Sequence, residues 1–310
     1  MANAPFPIQP ELTAITLAYR NQSLIADLVL PRIPVSKQEF KYTQFPVGDA
    51  FTIPDTKVGR TSAPNQVEFG GTESTTATKD YALDSPIPYA DIENASGTRY
   101  NPLARNVEVT TDLILLDREV RVATAVFDTN TYGASNKATL SGTTQWSDYT
   151  NSNPVDACLA AMDGMIMRPN KLVLGQAVWT KLRQHPKVVQ GILGNTNNAG
   201  VVTREQVAAL LELDEILVGQ AWVNSAKKGQ TASLARAWGK VAVLFYQNPA
   251  ITPDQGISYG YTAQWGDRIA GSWDDKDIGM RGGVRARVGE SVKELIPAGD
   301  LGYIFLTAIA

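Results

Sequence analysis

The 310-residue chain is poor in the side chains that carry most catalytic and metal chemistry. It has one cysteine, Cys158, and one histidine, His185. A lone cysteine excludes an intrachain disulfide and a metal site built from several cysteines, and a lone histidine excludes a site built on a histidine pair. Charged residues make up 19% of the chain, below the roughly 25% of an average globular protein. The composition therefore leaves few routes to metal or redox chemistry.

The charges that are present do not favour one sign. Lys and Arg number 28 and Asp and Glu number 31, so the net charge is −3 and the pI is about 5.4. A protein that grips nucleic acid by neutralising phosphates needs a basic domain, which argues against that role. No apolar run approaches the roughly 18 residues of a membrane span. The start of the chain has neither the basic nor the apolar region of a secretory signal. We expect a protein of a reducing compartment that contacts no membrane.

Three short motifs suggest chemistry, and each has a simpler explanation. Gly256–Gly260 matches the G-x-S-x-G turn of serine hydrolases, with Ser258 as the nucleophile. That turn needs a following helix and a later histidine, whereas the single histidine here lies upstream. The acidic run 273–277 lacks the glycine and the distal glutamate of a calcium loop, and 279–283 lacks the spacing of a phosphate-binding loop. We predict no catalytic site, metal or cofactor, and keep a hydrolase using Ser258 as the alternative of a different class.

The first hundred residues do not have the pattern of a compact domain. One helical stretch, Leu12–Leu30, lies between two prolines. From residue 40 to residue 88, short strand-like pieces alternate with prolines and polar residues, and proline confines strands to edges or ribbons. A surface loop would explain the polarity but not the large apolar side chains. This pattern predicts a projecting hairpin over 40–88. The side chains that we expect it to bury against something outside its own domain are Phe45, Phe51, Ile53, Val67 and Phe69.

The strongest helix signal in the sequence begins at Pro102. Asn101 is a favourable N-cap, and proline is well tolerated at the first helical position. Apolar residues then recur at spacings of three or four along one stripe. The stripe consists of Val109, Leu113, Leu116, Val120 and Phe127. A second apolar line on a neighbouring face consists of Leu115, Val122 and Val126. We predict a spine helix over 102–132 that packs on more than one side.

The middle of the chain has the pattern of a compact α+β unit. Asn153 and Pro154 repeat the cap-and-proline start, and Thr203 with Gln206 forms a capping box. The strand predicted at 240–246 is apolar on both faces, so we expect both faces to be buried. Near the end, apolar residues alternate with arginines over 284–288, as in a half-buried strand. We expect the apolar last ten residues to dock as the partner of that strand.

One local basic cluster stands out in the tail and consists of Arg281, Arg285 and Arg287. Three arginines are too few to carry phosphate binding alone, because such binding neutralises many phosphates at once. Ion pairs with carboxylates of a neighbouring subunit explain the cluster as well as phosphate contacts do, and we predict such ion pairs.

The order of these parts resembles the major capsid protein of tailed bacteriophages, whose fold is named after phage Hong Kong 97. The middle of the chain carries the resemblance, in a pattern of strand, helix, strand and helix. The matching segments are Thr143–Asp148 leading to Asn153 and Pro154, then Pro169–Gly175, Val178–Leu182 and His185–Val188. The resemblance implies an α+β fold of the Hong Kong 97 type.

Carried over in chain order, the resemblance implies five parts. They are an N-terminal arm at 1–39, a projecting E-loop at 40–88, a peripheral domain with the spine helix at 89–150, an axial domain at 151–270, and return strands of the peripheral domain at 271–310. Some members of the family begin with a helical scaffolding segment that is later removed. Because only about 100 residues precede this spine helix, the resemblance implies a separate scaffolding protein.

The resemblance also implies a structural protein and not an enzyme. Such a subunit self-assembles through pentamers and hexamers into the icosahedral shell around the double-stranded DNA of a tailed phage. Further implied partners are a scaffolding protein, a portal and decoration proteins, with only weak non-specific proximity to packaged DNA. The implied location is the virion capsid, after assembly in the host cytoplasm.

The mild acidity fits a container, since strong attraction to phosphates would oppose genome packing and ejection. A close alternative is an encapsulin-type shell, which shares the fold but encloses enzymes. A tail or decoration protein is a further alternative.

Overall fold

The computed structural model describes residues 9, 12–13, 24–44, 52–66, 72–97, 100–194, 200–227, 229–249 and 257–310. The helices with bounds in these ranges are α1 (Ala26–Val29), α2 (Tyr89–Ala95), α3 (Pro102–Phe127), α4 (Pro154–Asp163), α5 (Gln176–Leu182), α6 (Pro186–Leu193) and α7 (Arg204–Leu210). The strands there are β1 (Arg32–Val35), β2 (Glu39–Gln44), β3 (Thr72–Ala77), β4 (Lys79–Pro88), β5 (Lys137–Thr139), β6 (Lys171–Gly175), β7 (Glu215–Gly219), β8 (Trp222–Asn224), β9 (Leu234–Arg236), β10 (Ala242–Phe245), β11 (Tyr261–Trp265), β12 (Ile269–Asp275), β13 (Gly283–Leu295) and β14 (Gly302–Leu306).

The first sheet is organised around β13. One edge of β13 pairs with β4 over residues 283–292, and the other edge pairs with β12 and then with β11. Strand β1 extends the sheet by pairing in parallel with β11. On β13, Ala286, Val288 and Val292 are buried, while Arg285 and Arg287 are half-buried. The alternation predicted for this strand is confirmed, because successive side chains face the core and the solvent alternately.

The second sheet has the strand order β5-β14-β10-β6-β7. All four residues of β10 are buried, since helices cover both faces of the sheet. One face packs against α4 to α7 around Cys158, Trp179 and Leu244. The other face packs against α3 around Val243 and Phe245. The two-sided burial predicted for this strand is confirmed.

Helix α3 ties the two sheets together. It begins as predicted, because the side-chain oxygen of Asn101 accepts from the backbone N–H groups of Leu103 (3.0 Å) and Ala104 (3.2 Å). It ends at Phe127 and not at residue 132. Its length is about 39 Å at 1.5 Å per residue. Its first half packs on the first sheet through Val107, and its second half packs on the second sheet through Val126.

Two predictions about the tail and the arm are wrong. The apolar strand β14 pairs with β10 and β5 in the second sheet and not with β13. Because Ile304 and Phe305 on opposite faces of β14 are both buried, this strand needs a sheet that is covered on both sides. The single helix predicted over 12–30 is interrupted at 24–25, which precede the short helix α1.

The predicted boundaries also separate strands that share a sheet. Strand β4 lies in the first sheet, so the part of the predicted hairpin from 79 to 88 does not project. Strand β11 belongs to the first sheet although it falls in the segment 151–270. Strands β5 and β14 belong to the second sheet although they fall in 89–150 and 271–310. The chain therefore crosses between the two sheets more often than its linear pattern indicates.

Candidate assembly surfaces

The hairpin of β2 and β3 stands outside both sheets. Its base is fixed by the N–H of Thr78, which donates to the carbonyl of Gln38 (2.9 Å). Every residue of the segment 52–66 is exposed, and the side chain of Ile53 is 91% exposed. Apolar side chains on a segment that projects from its own subunit are available to a second molecule. The other residues predicted for this contact lie outside the described residues; they are Phe45, Phe51, Val67 and Phe69.

The face of α3 that packs inside the subunit is the second apolar line. Its members Leu115, Val122 and Val126 are at most 8% exposed, whereas Val109 and Leu113 are 42% and 52% exposed. Of the stripe predicted to pack from Val109 to Phe127, Val109 and Leu113 therefore do not pack within one chain. Both lines have helical spacing, so only the position of the sheets decides between them.

The remaining members of the predicted stripe are half-buried; they are Leu116, Val120 and Phe127. The ring of Phe127 packs edge-on against Trp238, with 5.6 Å between ring centroids. The exposed apolar surface of α3 is therefore concentrated around Val109 and Leu113, toward its N-terminal half.

The buried side of α3 carries an ion-pair cluster that was not predicted from the sequence. Arg118 is 1% exposed, and its guanidinium pairs with the carboxylate of Asp27 in α1. The same guanidinium donates to the carbonyl of Leu30 (3.1 Å) and to the hydroxyl of Thr262 in β11 (3.0 Å). Asp27 also pairs with Arg32 in β1 (2.8 Å). The N-terminal segment is thereby fastened to the spine helix and to the first sheet.

The cluster continues to Glu290 on the inner face of β13. Its carboxylate pairs with Arg32 (2.8 Å) and with Arg268 (3.0 Å). Burial raises the pKa of Glu290, but the guanidinium groups of Arg32 and Arg268 outweigh it and hold the pKa below its ordinary value. Removal of one partner from a buried pair of this kind leaves an uncompensated charge and is strongly destabilising.

Glu119 fixes the start of α1. It is fully buried, and its carboxylate accepts from the backbone N–H groups of Ile25 (3.0 Å) and Ala26 (2.7 Å). It also accepts from the indole N–H of Trp238 (2.5 Å), which packs against the second sheet. Burial raises the pKa of Glu119, and the hydrogen bonds from Ile25, Trp238 and Ala26 offset this only in part. One side chain thus joins the N-terminal segment, the spine helix and the second sheet.

A sequence signal for these two residues exists. Arg118 and Glu119 fall between Leu115 and Val122, at helical spacing from the second apolar line. A charged pair on that line, in a helix predicted to pack on more than one side, indicates buried and therefore paired charges.

Two of the three tail arginines already have partners inside the chain. Arg287 forms two hydrogen bonds with Asp84, directly across the β4–β13 pair (2.5 and 2.6 Å). Arg285 pairs with Asp275 of β12 (2.6 Å). These two arginines therefore have carboxylate partners on neighbouring strands of their own chain, and pairing between subunits stays a prediction. Arg281 is exposed in the turn between β12 and β13.

Ser258 and His185 each have partners other than one another. Ser258 is 1% exposed, and its hydroxyl accepts from the N–H of Asn248 (3.1 Å). Nδ1 of His185 accepts from the N–H of Lys187 (3.2 Å), which places the ring proton on Nε2, 3.0 Å from the hydroxyl of Ser152. The ring nitrogens of His185 therefore contact Lys187 and Ser152 and not Ser258, and a serine nucleophile needs a base within hydrogen-bond reach. These contacts do not favour the hydrolase alternative.

Other groups that could carry chemistry are few among the described residues. Cys158 is buried, and burial raises the pKa of its thiol to about 12, which makes it an unreactive core residue. Among the described residues, no group of three or more His, Cys, Asp and Glu side chains could hold a metal ion. In the same part of the chain, no helix is long and apolar enough to cross a membrane.

Known proteins are similar to this sequence over most or all of its length. The chain is 53% identical over 310 residues to the major capsid protein of Pseudomonas phage JBD67, covering 100% of both chains. The chain belongs to the phage major capsid proteins. A second capsid relative, the major capsid protein of Burkholderia phage BcepMu, is 27% identical over 268 residues and covers 82% of each chain. The family model Phage major capsid protein E matches residues 114–259 of this capsid protein.

A solved structure shares the architecture of this capsid protein. The crystal structure of a phage-related protein from Bordetella bronchiseptica RB50 has a TM-score of 0.77 at 25% identity, and the match covers 98% of this chain and 99% of that chain. The α+β fold is of the Hong Kong 97 capsid type, which confirms the fold class and family that the resemblance implied. A major capsid protein works as many copies of itself in the virion capsid, so self-association is part of its function.

Proposed function

We propose that this capsid protein is the structural subunit of an icosahedral shell that encloses the double-stranded DNA genome of a tailed phage. The full-length match to a phage major capsid protein carries the proposal. The shape of the subunit supports it, because the segment 52–66 and the exposed line of α3 give one copy separate surfaces for neighbours. Closed symmetric assemblies need such distinct contacts, since repeated contacts must return on themselves.

We assign the parts of the subunit from its sheets. The N-terminal arm includes α1 and β1, and the E-loop is the β2–β3 hairpin, which ends near residue 78. The peripheral domain is the first sheet with α2 and α3, and the axial domain is the second sheet with α4 to α7. The buried cluster of Arg118, Glu119 and Glu290 lies where arm, spine helix and sheets meet, so it sets the position of the arm.

The proposal extends to the partners of the shell. Copies assemble through pentamers and hexamers in the host cytoplasm, with a separate scaffolding protein, a portal and decoration proteins. Contact with packaged DNA is weak and non-specific, in keeping with the net charge of −3. The subunit has no catalytic role, which agrees with the buried positions of Ser258 and Cys158.

The E-loop contact is tested by placing a charge on its exposed apolar surface. In Ile53→Asp, the new carboxylate would have to be desolvated against the neighbouring copy, which is costly. We expect the yield of closed particles to fall roughly tenfold or more, with an unchanged melting temperature, because the side chain is 91% exposed in the subunit. The assay is sedimentation and negative-stain electron microscopy of purified protein, with the scaffold supplied.

Thr61→Asp is the matched control, since it adds the same charge to an exposed polar position of the same segment. It should assemble like the unmodified chain. Particles from Ile53→Asp in normal yield would contradict the E-loop contact. A chain that remains a monomer under all these conditions would contradict the shell function itself.

A further inference from the structure

The hairpin of β8 and β9 is a second ribbon outside both sheets. Trp222 lies opposite Arg236, and Asn224 lies opposite Leu234, so these four side chains share one face. Trp222 is 51% exposed and Leu234 is 64% exposed. The guanidinium of Arg236 lies 3.9 Å from the centroid of the Trp222 ring. The face is therefore an exposed apolar surface with a cation stacked on it.

The root of this hairpin is anchored in the subunit. Ala221 and Trp238 are buried, and the N–H of Ala237 donates to the carbonyl of Ala221 (3.0 Å). An isolated two-stranded hairpin is marginally stable in water and needs further packing. An apolar face on such a hairpin gains stability when a second surface covers it.

The charge of this region is entirely positive. The sequence from Ile216 to Pro253 contains no Asp or Glu, and its basic residues are Lys227, Lys228, Arg236 and Lys240. A surface that complements the hairpin should therefore be apolar and acidic.

Helix α4 presents such a surface. Asp156, Leu159 and Asp163 are exposed on one face of the helix, and Ile166 follows just beyond its end. Leu159 is 37% exposed and Ile166 is 45% exposed. The sequence from 138 to 167 contains three aspartates and no Lys or Arg. This face is thus the opposite of the hairpin in charge and similar to it in apolar character.

The two surfaces are connected to opposite ends of the strand pair β6 and β7. Strands β6 and β7 run in parallel. The end of α4 leads into the start of β6, whereas the β8–β9 hairpin follows the end of β7. Each of these strands has five residues. Four rises of about 3.3 Å per residue therefore separate the two ends of the pair by about 13 Å. The hairpin and the end of α4 are therefore attached at opposite ends of this strand pair.

We propose that the β8–β9 hairpin of one copy docks on the exposed α4 face of the adjacent copy. Trp222 and Leu234 cover Leu159 and Ile166, and Arg236 lies beside Asp163. The proposal rests on the proposed shell function and names one of its contacts. Because the two patches differ, the contact is head-to-tail, and its repetition gives a ring when the rotation between copies returns on itself. The occupant of the hairpin face is thus a second copy of this chain.

A charge placed in either patch should block this contact. We expect Leu234→Asp and Ile166→Asp each to lower the yield of assembled particles roughly tenfold or more, because a carboxylate would be buried against apolar side chains. Thr231→Asp is the matched control, since Thr231 is exposed in the loop of the same hairpin. The variants should keep the melting temperature of the unmodified chain, because each replaced side chain is exposed.

A charge swap tests the pairing of the two patches directly. Asp163→Arg places like charges together and should lower assembly, and Arg236→Asp should do the same. The double variant restores opposite charges and should recover assembly relative to either single variant.

Cross-linking in assembled particles gives a readout that does not depend on yield. The native Cys158 is buried, so introduced cysteines supply the reactive thiols. A chain with both Leu234→Cys and Ile166→Cys, treated with a short bifunctional maleimide, should give a ladder of covalent multimers on a denaturing gel. Leu234→Cys alone should not give the ladder.

The outcomes separate this contact from the shell function. Normal particles from Leu234→Asp, or dimers from Leu234→Cys alone, would overturn the head-to-tail contact while leaving the shell function intact. An unmodified chain that forms no particles would overturn the shell function and this contact with it.

Discussion

The contacts of Glu119 indicate how much stability the subunit should lose when this side chain is removed. It is fully buried and accepts hydrogen bonds from the N–H groups of Ile25, Ala26 and Trp238. Removing the acceptor of a buried hydrogen-bond donor lowers the free energy of unfolding by about 1–3 kcal/mol. Glu119→Ala leaves all three donors unpaired and opens a cavity. We therefore expect it to lower the free energy of unfolding by about 3 kcal/mol or more.

Glu119→Gln separates the hydrogen bonds from the volume of the side chain. The amide keeps the size of the carboxylate, but its single carbonyl oxygen has two lone pairs and its NH₂ group is a donor. At least one of the three N–H groups then faces another donor. We expect a loss of about 1–3 kcal/mol, intermediate between the unmodified chain and Glu119→Ala.

Urea unfolding followed by circular dichroism measures both variants. Glu108→Ala is the control, because it removes a half-exposed carboxylate from the same helix. Its effect should stay within about 0.5 kcal/mol, as for most surface substitutions. If Glu119→Ala unfolds at the same urea concentration as Glu108→Ala, the three hydrogen bonds do not hold the N-terminal segment in the way described.

Further predictions concern the same subunit. Folding holds the pKa of Glu290 below its ordinary value, so its favourable contribution is present above the unfolded pKa of about 4.3 and is lost as the pH falls through the folded pKa. Glu290→Gln should therefore cost about 3–5 kcal/mol at pH 7 and progressively less as the pH falls below about 4.3, as measured by urea unfolding. A difference in unfolding free energy that does not shrink in acid would contradict the ion-pair explanation. Asn101→Ala removes the oxygen that caps α3 and should cost about 1 kcal/mol, whereas Asn101→Ser, another good cap, should cost less; equal losses in thermal unfolding would count against the capping role.

Local features of the fold were predictable because their causes lie within a few residues. The caps at Asn101, Asn153 and Thr203 were all recognised from the sequence, and each side chain accepts from the first turn of its helix. A cap depends only on the residue type and the start of the helix. The alternation of β13 and the two-sided burial of β10 were recognised for the same reason, since the period of a strand is local.

Long-range partners were not predictable in the same way. The pair of Arg287 and Asp84 joins residues about 200 positions apart, so nothing near Arg287 in the sequence identifies its carboxylate. The sequence also could not decide which apolar line of α3 faces the sheets, because Leu113 and Leu115 both fit a helical stripe. The docking of β14 beside β10 depends on the whole second sheet being present.

Electron microscopy of the assembled capsid protein tests the central claim most directly. We predict closed shells in which the segment 52–66 of each copy lies against an adjacent copy and Ile53 is buried there. Shells in which that segment folds back on its own subunit, or preparations that contain only monomers, would contradict the account.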